Sequence, residues 1–300
     1  MKCHFDLSNL NCTNLLRLQL QHTREKLQFS EHGDSELKVE PIGKASLIGK
    51  PVPFKDGNAN ATYRAQILTN DSVVRNAFVK DLNINELCIE LLSASVGKLL
   101  GLPIPNSYLV LSKQSLPSSV GPQLSTGERL LFGSEDAQTP SLTKWINSTP
   151  SDFRKVLRRV ANWKGVDSLF SFDTWIANVD RNIGNLLFGA NGIWLIDHGQ
   201  AFGGPLIALS DLRPEKPYPQ KLTIDLGKVM TDSQKDSVAT KCKAFPNDSA
   251  LVDSKLLLAN NLIESIWGKS EFDMAVNFLE ARRTHVPKLG SALVGQEVLL

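Results

Sequence analysis

Between residues 178 and 199 the chain reads NVDRNIGNLLFGANGIWLIDHG. The Asn191-Gly192 pair inside this stretch constrains the fold more than any other feature. Both central positions of a type I′ turn need positive φ, which Asn and Gly adopt most readily. The flanking runs NLLF and IWLI therefore read as a two-stranded antiparallel hairpin. Counting back from the turn, Asn185 falls opposite Asp197 or His198, and Asp180 lies on the loop entering the first strand. One end of the hairpin thus gathers two carboxylates and an amide. A carboxylate beside an amide oxygen makes a hard-oxygen pair suited to Mg²⁺, which is usually held by few protein ligands plus substrate phosphates. A further carboxylate nearby can orient a hydroxyl and accept its proton. These are the parts of phosphoryl transfer: a loop Asp, an Asn a few residues on, and a metal-binding Asp beyond a hairpin. Capping and turn chemistry alone offers a plainer account of the same residues, so the upstream half must decide.

Phosphoryl transfer of this kind also needs a strand lysine for the α- and β-phosphates, paired with a helical glutamate. The segments KASLIG, ATYRAQILT and VVRNAFVK read as strands separated by turn clusters at residues 55–58 and 69–71. Lys80 ends the third. A helix follows, with Asn83 or Asn85 as N-cap and Glu86 in its first turn. Leu87, Leu91, Leu92, Val96, Leu99 and Leu100 recur at helical spacing, Gly101 supplies the stop, and Pro103 lies just beyond. Glu86 and Glu90 are its acidic candidates. SYLVL (107–111) reads as another strand.

Residues 112–140 are rich in Ser, Pro and Gly and read as a connection. Thr149-Pro150 then opens a helix, a second covers VDSLFSFDTWIAN, and residues 222–283 are mostly helical in pattern, with Leu256–Leu258, Ile263, Ile266, Trp267, Met274, Val276 and Phe278 as core. Arg154, Lys155, Arg158 and Arg159 form a basic helix face, read as solvated; Trp145, Trp163 and Trp175 read as core. With 33 basic and 31 acidic residues the net charge is +2, so no global field points to nucleic acid. The four scattered cysteines form no CxxC pair, which favours a reducing compartment with free thiols. No apolar run approaches the roughly 20 residues of a membrane span, and the first residues lack the apolar core of a signal peptide. The expectation is a soluble cytoplasmic protein without a membrane partner. Residues 1–40 read as an N-terminal extension with no assigned role.

The quoted pieces FVKDL, IELLSASVGKLLGLPIPNSYLV and FDTWIANVDRNIGNLLFGANGIWLIDHGQAF together resemble the HipA-like kinases, distant relatives of protein kinases and phosphatidylinositol kinases. The resemblance covers about residues 44–205. It implies an α+β, bilobal protein-kinase-like fold: a small β-rich N-lobe at 41–112, a linker at 113–121 and a larger helical C-lobe at 122–300. It implies Asp180 as the catalytic residue, Asn185 and Asp197 as metal ligands, Lys80 as the phosphate-holding lysine and Glu90, rather than Glu86, as its helical partner. The implied cofactors are ATP and Mg²⁺. The implied acceptor is a protein Ser or Thr, and an antitoxin or other regulatory partner follows by analogy. A small-molecule or lipid kinase, an AMP-transferring enzyme on the same scaffold, and a nucleotide-binding pseudokinase remain open. The sequence departs from protein kinases in carrying Asp-His-Gly for their Asp-Phe-Gly. It also has no GxGxxG, only residues 56–60 (DGNAN) near where a phosphate-covering loop belongs.

Overall fold

A computed structural model describes residues 42–54, 61–114, 116, 120–145, 150–189, 192–218, 220–250, 252 and 261–295. The N-terminal extension, the 56–60 loop, Thr149 and Leu256–Leu258 lie outside the described residues, as do Ala190, Asn191 and the Trp145 side chain. The chain is α+β, β-rich at its start and helical toward its end.

Five strands close a barrel in the order β1-β2-β3-β5-β4: β1 (Ile42–Pro53), β2 (Thr62–Thr69), β3 (Val74–Lys80), β4 (Ser107–Ser112) and β5 (Arg129–Glu135). Neighbours run antiparallel except β1 and β4, whose parallel pairing from Ile42↔Ser107 to Ser46↔Leu111 closes the barrel. Side chains alternate along a strand. Ala45, Leu47, Tyr63, Ile67, Ala77, Val79, Tyr108, Val110 and Leu131 accordingly fill the interior, and Thr62, Arg64, Phe78 and Lys80 point outward. Strand β5 corrects the reading of 112–140 as a connection. Its RLLFG core sits among polar and glycine residues, and its pairing with β3 and β4 is long-range. The β-rich part therefore reaches Glu135 rather than stopping at residue 112.

Helix α1 (Ile84–Leu99) takes Asn83 as its N-cap, with Asn83 Oδ1 accepting from the Glu86 amide at 3.0 Å. Asn85 serves elsewhere, accepting from Trp267 Nε1 at 2.9 Å. From Leu87 to Gly97 the helix is buried all round, because it lies between the barrel and the helical part. Gly97 is required there: a Cβ would stand 2.3 Å from Ile104 Cδ1 and 3.0 Å from the Phe172 ring.

The helical part contains α2 (Pro150–Ala161), α3 (Val166–Trp175), α4 (Lys221–Gly227), α5 (Asp232–Asp248), α6 (Asn261–Trp267), α7 (Lys269–Arg283) and α8 (Val286–Leu293). Helix α3 runs through its centre. Trp175 is fully buried and donates to the Leu279 carbonyl at 2.7 Å. On α2, Arg154, Lys155, Arg158 and Arg159 are exposed as expected; Arg159 also lies 3.8 Å over the Phe188 ring. Among the described residues, no helix is long and apolar enough to cross a membrane.

The hairpin forms from β6 (Leu186–Gly189) and β7 (Gly192–Leu195). Its register closes with Gly189↔Gly192, so Gly192 is a paired strand residue at φ +118° rather than a central turn residue. The pairing moves accordingly. The Asn185 carbonyl accepts from the Ile196 amide at 3.1 Å, and Asp197 and His198 follow one and two residues beyond.

Candidate active site

The chain reverses sharply after β7. Asp197 adopts φ +61°, a left-handed conformation uncommon outside glycine and most tolerable for Asp and Asn. The site lies along a cleft of about 1060 Å³ between the barrel and the helical part, whose lining includes Lys80, Glu90, Asp180, Asn185, Asp197 and His198. Asp197 is one-third exposed, whereas His198 is buried and meets Phe172 edge-on. Gly199 completes the turn because a Cβ there would stand 2.8 Å from Glu90 Oε2.

Lys80 reaches this turn from the end of β3. Its Nζ donates to Asp197 Oδ1 at 2.8 Å and stands 3.8 Å from Glu90 Oε2. Glu90, only 1% exposed, accepts the His198 amide at 2.9 Å through its other oxygen. One buried carboxylate thus ties α1 to β3 and to the turn after β7. Glu86, one helical turn earlier, is only half-buried.

Asp180 and Asn185 are placed from below by a buried cation. Arg181 is fully buried and bidentate on Asp173 of α3: Nε to Oδ2 at 2.8 Å and the second guanidinium arm to Oδ1 at 3.0 Å. Its remaining arm donates to the Ile196 carbonyl at 2.6 Å. Asn178 extends the set, donating to Asp173 Oδ1 at 3.2 Å and accepting the Asp180 amide at 3.2 Å. A second staple pairs the Val179 amide with the Gln200 carbonyl, and the Phe202 and Gly203 amides with the carbonyls of Ile176 and Ala177. On the far side the Leu222 amide donates to the Arg181 carbonyl at 3.1 Å, which brings α4 alongside the loop. Asp180 itself is exposed.

Residues 71–211 match the family model described as HipA-like kinase. The matched segment contains Lys80, Glu90, Asp180, Asn185 and Asp197. Among solved structures the chain is similar to the open conformation of CtTel1, at 14% identity over 90% of this chain and 13% of that one, with a TM-score of 0.39. It is likewise similar to the FAT and kinase domain of CtTel1, at 13% identity over 90% and 24% of the two chains, with a TM-score of 0.39. A third likeness is to the Helicobacter pylori proinflammatory kinase CtkA, at 12% identity over 76% and 93%, with a TM-score of 0.38. The chain spans 13% and 24% of the two CtTel1 chains. No curated protein gives a significant match.

The charges within the matched segment follow from this packing. Burial opposes the charge on Lys80, but Glu90 and Asp197 outweigh it and raise its pKa. Burial alone would raise Glu90; Lys80 and the bond from His198 reverse this and bring it down to about 2. Burial lowers the His198 pKa, which keeps the ring neutral at physiological pH. Desolvation, reinforced by the charge of Asp197, raises Asp180, with Arg181 and Lys221 partly offsetting the effect. The donor set for a metal is small: among the described residues no three His, Cys, Asp or Glu converge. Asn185 Nδ2 donates to the carbonyls of Asp180 and Asp197, each at 3.4 Å, which leaves its amide oxygen unbonded among the described residues. An amide oxygen and one carboxylate are too few for an all-protein Ca²⁺ cage, and they suit Mg²⁺ that is shared with phosphates.

The sequence singled out five residues separated by up to 117 positions, and the fold collects them along one cleft. Sequence reading missed Asp173, which looks like an ordinary polar residue in a helix, and gave His198 no separate role. No sequence signal reports that Asp173 is fully buried, or that Glu90 carries the His198 amide.

Proposed function

We propose that this chain is a bilobal HipA-like kinase that transfers the γ-phosphate of Mg-ATP to the hydroxyl of a protein Ser or Thr. The observation that carries the reading is the Lys80 ammonium held between Asp197 and Glu90, at 2.8 and 3.8 Å, in a cleft shared with Asp180 and Asn185. A lysine oriented in this way is set to neutralise the α- and β-phosphates. Asn185 and Asp197 would hold the magnesium ion, which supplies charge neutralisation on the phosphate oxygens. Asp180 orients the acceptor hydroxyl and takes its proton as the oxygen attacks the γ-phosphorus. The bond from that phosphorus to the bridging oxygen breaks, and ADP leaves with the electron pair. The raised pKa of Asp180 makes it a stronger base than a solvated carboxylate. Most of the catalysis is positioning and charge stabilisation.

The test is incubation of the chain with Mg²⁺ and γ-labelled ATP in the presence of a whole-cell extract. Label on protein Ser or Thr is the expected result. Label on lipid or a small molecule would reassign the acceptor. Transfer from α-labelled but not γ-labelled ATP would make the chain an AMP transferase.

A further inference from the structure

The basic face of α2 lies outside the cleft, and the chemistry of Lys80 and the hairpin makes no use of it. Helices α2 and α4, with Lys228 just after α4, carry six basic residues (Arg154, Lys155, Arg158, Arg159, Lys221 and Lys228) against two acidic ones, Asp152 and Asp225. Both carboxylates are engaged, Asp152 by Lys155 at 3.3 Å and Asp225 by Lys228 at 2.9 Å. Arg154, Arg158 and Lys221 are exposed and make no ion pair or hydrogen bond among the described residues.

A solvated face is the plainer account of such residues. Two observations go beyond it. Arg154 and Arg158, like Lys155 and Arg159, stand four positions apart on the helix, where like charges repel and oppose its formation. The helix dipole favours cations in the last turn, which covers Arg158 and Arg159 but not the pair one turn earlier. The second observation is position. Helix α2 packs against α4 and against the short 3₁₀ turn Leu142–Trp145, whose Thr143 lines the cleft. From α4, the Leu222 amide donates to the Arg181 carbonyl at 3.1 Å, and the charge of the neighbouring Lys221 acts on Asp180. The cations therefore begin beside Asp180 on α4 and continue on the helix packed against it.

Their spacing suits an extended acidic peptide. Arg154 and Arg158 are neighbours on the helix surface, roughly 6 Å apart, close to the roughly 7 Å between same-side residues of an extended chain. A nucleic-acid strand would also be drawn by charge, but it binds by stacking its bases on exposed aromatic rings. Here Phe153, Trp163 and Phe188 are half-buried against the core, and Arg159 covers Phe188.

We propose that Arg154, Arg158 and Lys221 form a docking surface for an acidic segment of the acceptor protein, so that the hydroxyl presented to Asp180 is flanked by Asp and Glu residues. The inference rests on the kinase reading above and names the class of its substrate.

The experiment uses the whole chain and three serine peptides of one length, in which the residues flanking the serine are Asp and Glu, Asn and Gln, or Lys. Binding is read by fluorescence anisotropy without nucleotide, and transfer by kcat/KM with Mg²⁺ and γ-labelled ATP. One exposed ion pair is typically worth about two- to fivefold. The acidic peptide should therefore exceed the amide peptide by about tenfold in both readouts, and added salt should shrink the difference. Arg154→Glu together with Arg158→Glu should abolish this preference and favour the lysine peptide, with Mg-ATP affinity unchanged. A merely structural role for the two arginines would instead weaken every peptide alike, and would overturn the proposal. Equal binding of acidic and amide peptides by the wild type would overturn it too, as would a double variant that keeps the acidic preference. Single-stranded DNA that binds more tightly than the acidic peptide, and is lost in the double variant, would reassign the surface to nucleic acid. Failure of the kinase reading is a separate result: an acidic peptide bound with the expected preference but never labelled removes phosphoryl transfer and keeps the docking surface.

Discussion

Asp180, Asp197 and Glu90 are carboxylates within one cleft, and their surroundings separate their roles. Asp180 is exposed and meets no cation at bonding distance among the described residues, so its proposed work is confined to the transition state. Asp180→Asn should lower single-turnover phosphoryl transfer at least roughly a hundredfold, the scale of general-base catalysis, with Mg-ATP affinity nearly unchanged. Equal transfer by variant and wild type would remove Asp180 from the chemistry, since Asn is as good a turn and capping residue as Asp. Asp197 instead bonds Lys80 at 2.8 Å. Asp197→Ala should abolish the Mg²⁺ dependence of ATP binding, because Asn185 alone brings no charge to offset the metal. Calorimetry with and without Mg²⁺ reads this directly. Glu90→Gln should weaken ATP binding by misplacing Lys80, while Glu86→Gln, at a half-buried position one helical turn earlier, should not. The reverse order of effects would move the lysine's partner one turn along α1.

At the scale of elements, a buried ion pair organises the loop between α3 and β6. Asp173 and Arg181 are both fully buried and doubly bonded to one another. Removing one partner strands a charge in the interior, at a cost of about 3–5 kcal/mol, whereas replacing both with apolar residues costs much less. Asp173→Leu and Arg181→Met should each lower the urea midpoint strongly, and the double variant should recover much of the loss. Additive losses would mean that each residue acts through its other bonds, such as Arg181 to the Ile196 carbonyl. The loop between α3 and β6 explains why the hairpin was legible and its register was not. Alternating apolar runs around Gly identify two strands, but the pairing that closes at Gly189↔Gly192 depends on where Asn185 and Ile196 are held. Strand β5 shows the same limit: a short apolar run inside a polar stretch is a strand only because β3 and β4 present edges to it.

Over the whole molecule, stability should depend on pH through groups whose ionisation differs between folded and unfolded chain. Glu90 is depressed from 4.5 to about 2, so its contribution is present above pH 4.5 and is lost as pH falls toward 2. His198 is depressed from 6.5 by burial, so it too contributes above pH 6.5 and loses that contribution below. Cys242 is raised by burial from 9.0 to about 12, so its contribution is present below pH 9 and is lost as pH rises. Urea midpoints should therefore be flat between about pH 6.5 and 9 and decline on either side; a steady slope across neutrality would mean that other groups dominate. The sequence by itself determined the order of parts: strands ending in Lys80, a helix capped at Asn83 or Asn85, a helical second half, and a hairpin with Asp180, Asn185 and Asp197 around it. It could do so because caps, turns and periodicity are local, set by residues within one or two turns of each other. Only the tertiary structure decided that β1 and β4 close a barrel and that β5 belongs to it; the resemblance had already favoured Glu90 over Glu86, and the fold puts Glu90 Oε2 3.8 Å from Lys80 Nζ. The fold also decided that Asp173 lies beneath the loop and that α4 stands alongside it. These depend on burial and on contacts between residues far apart in the chain, where the energy lies in what surrounds a side chain rather than in its neighbours along the sequence.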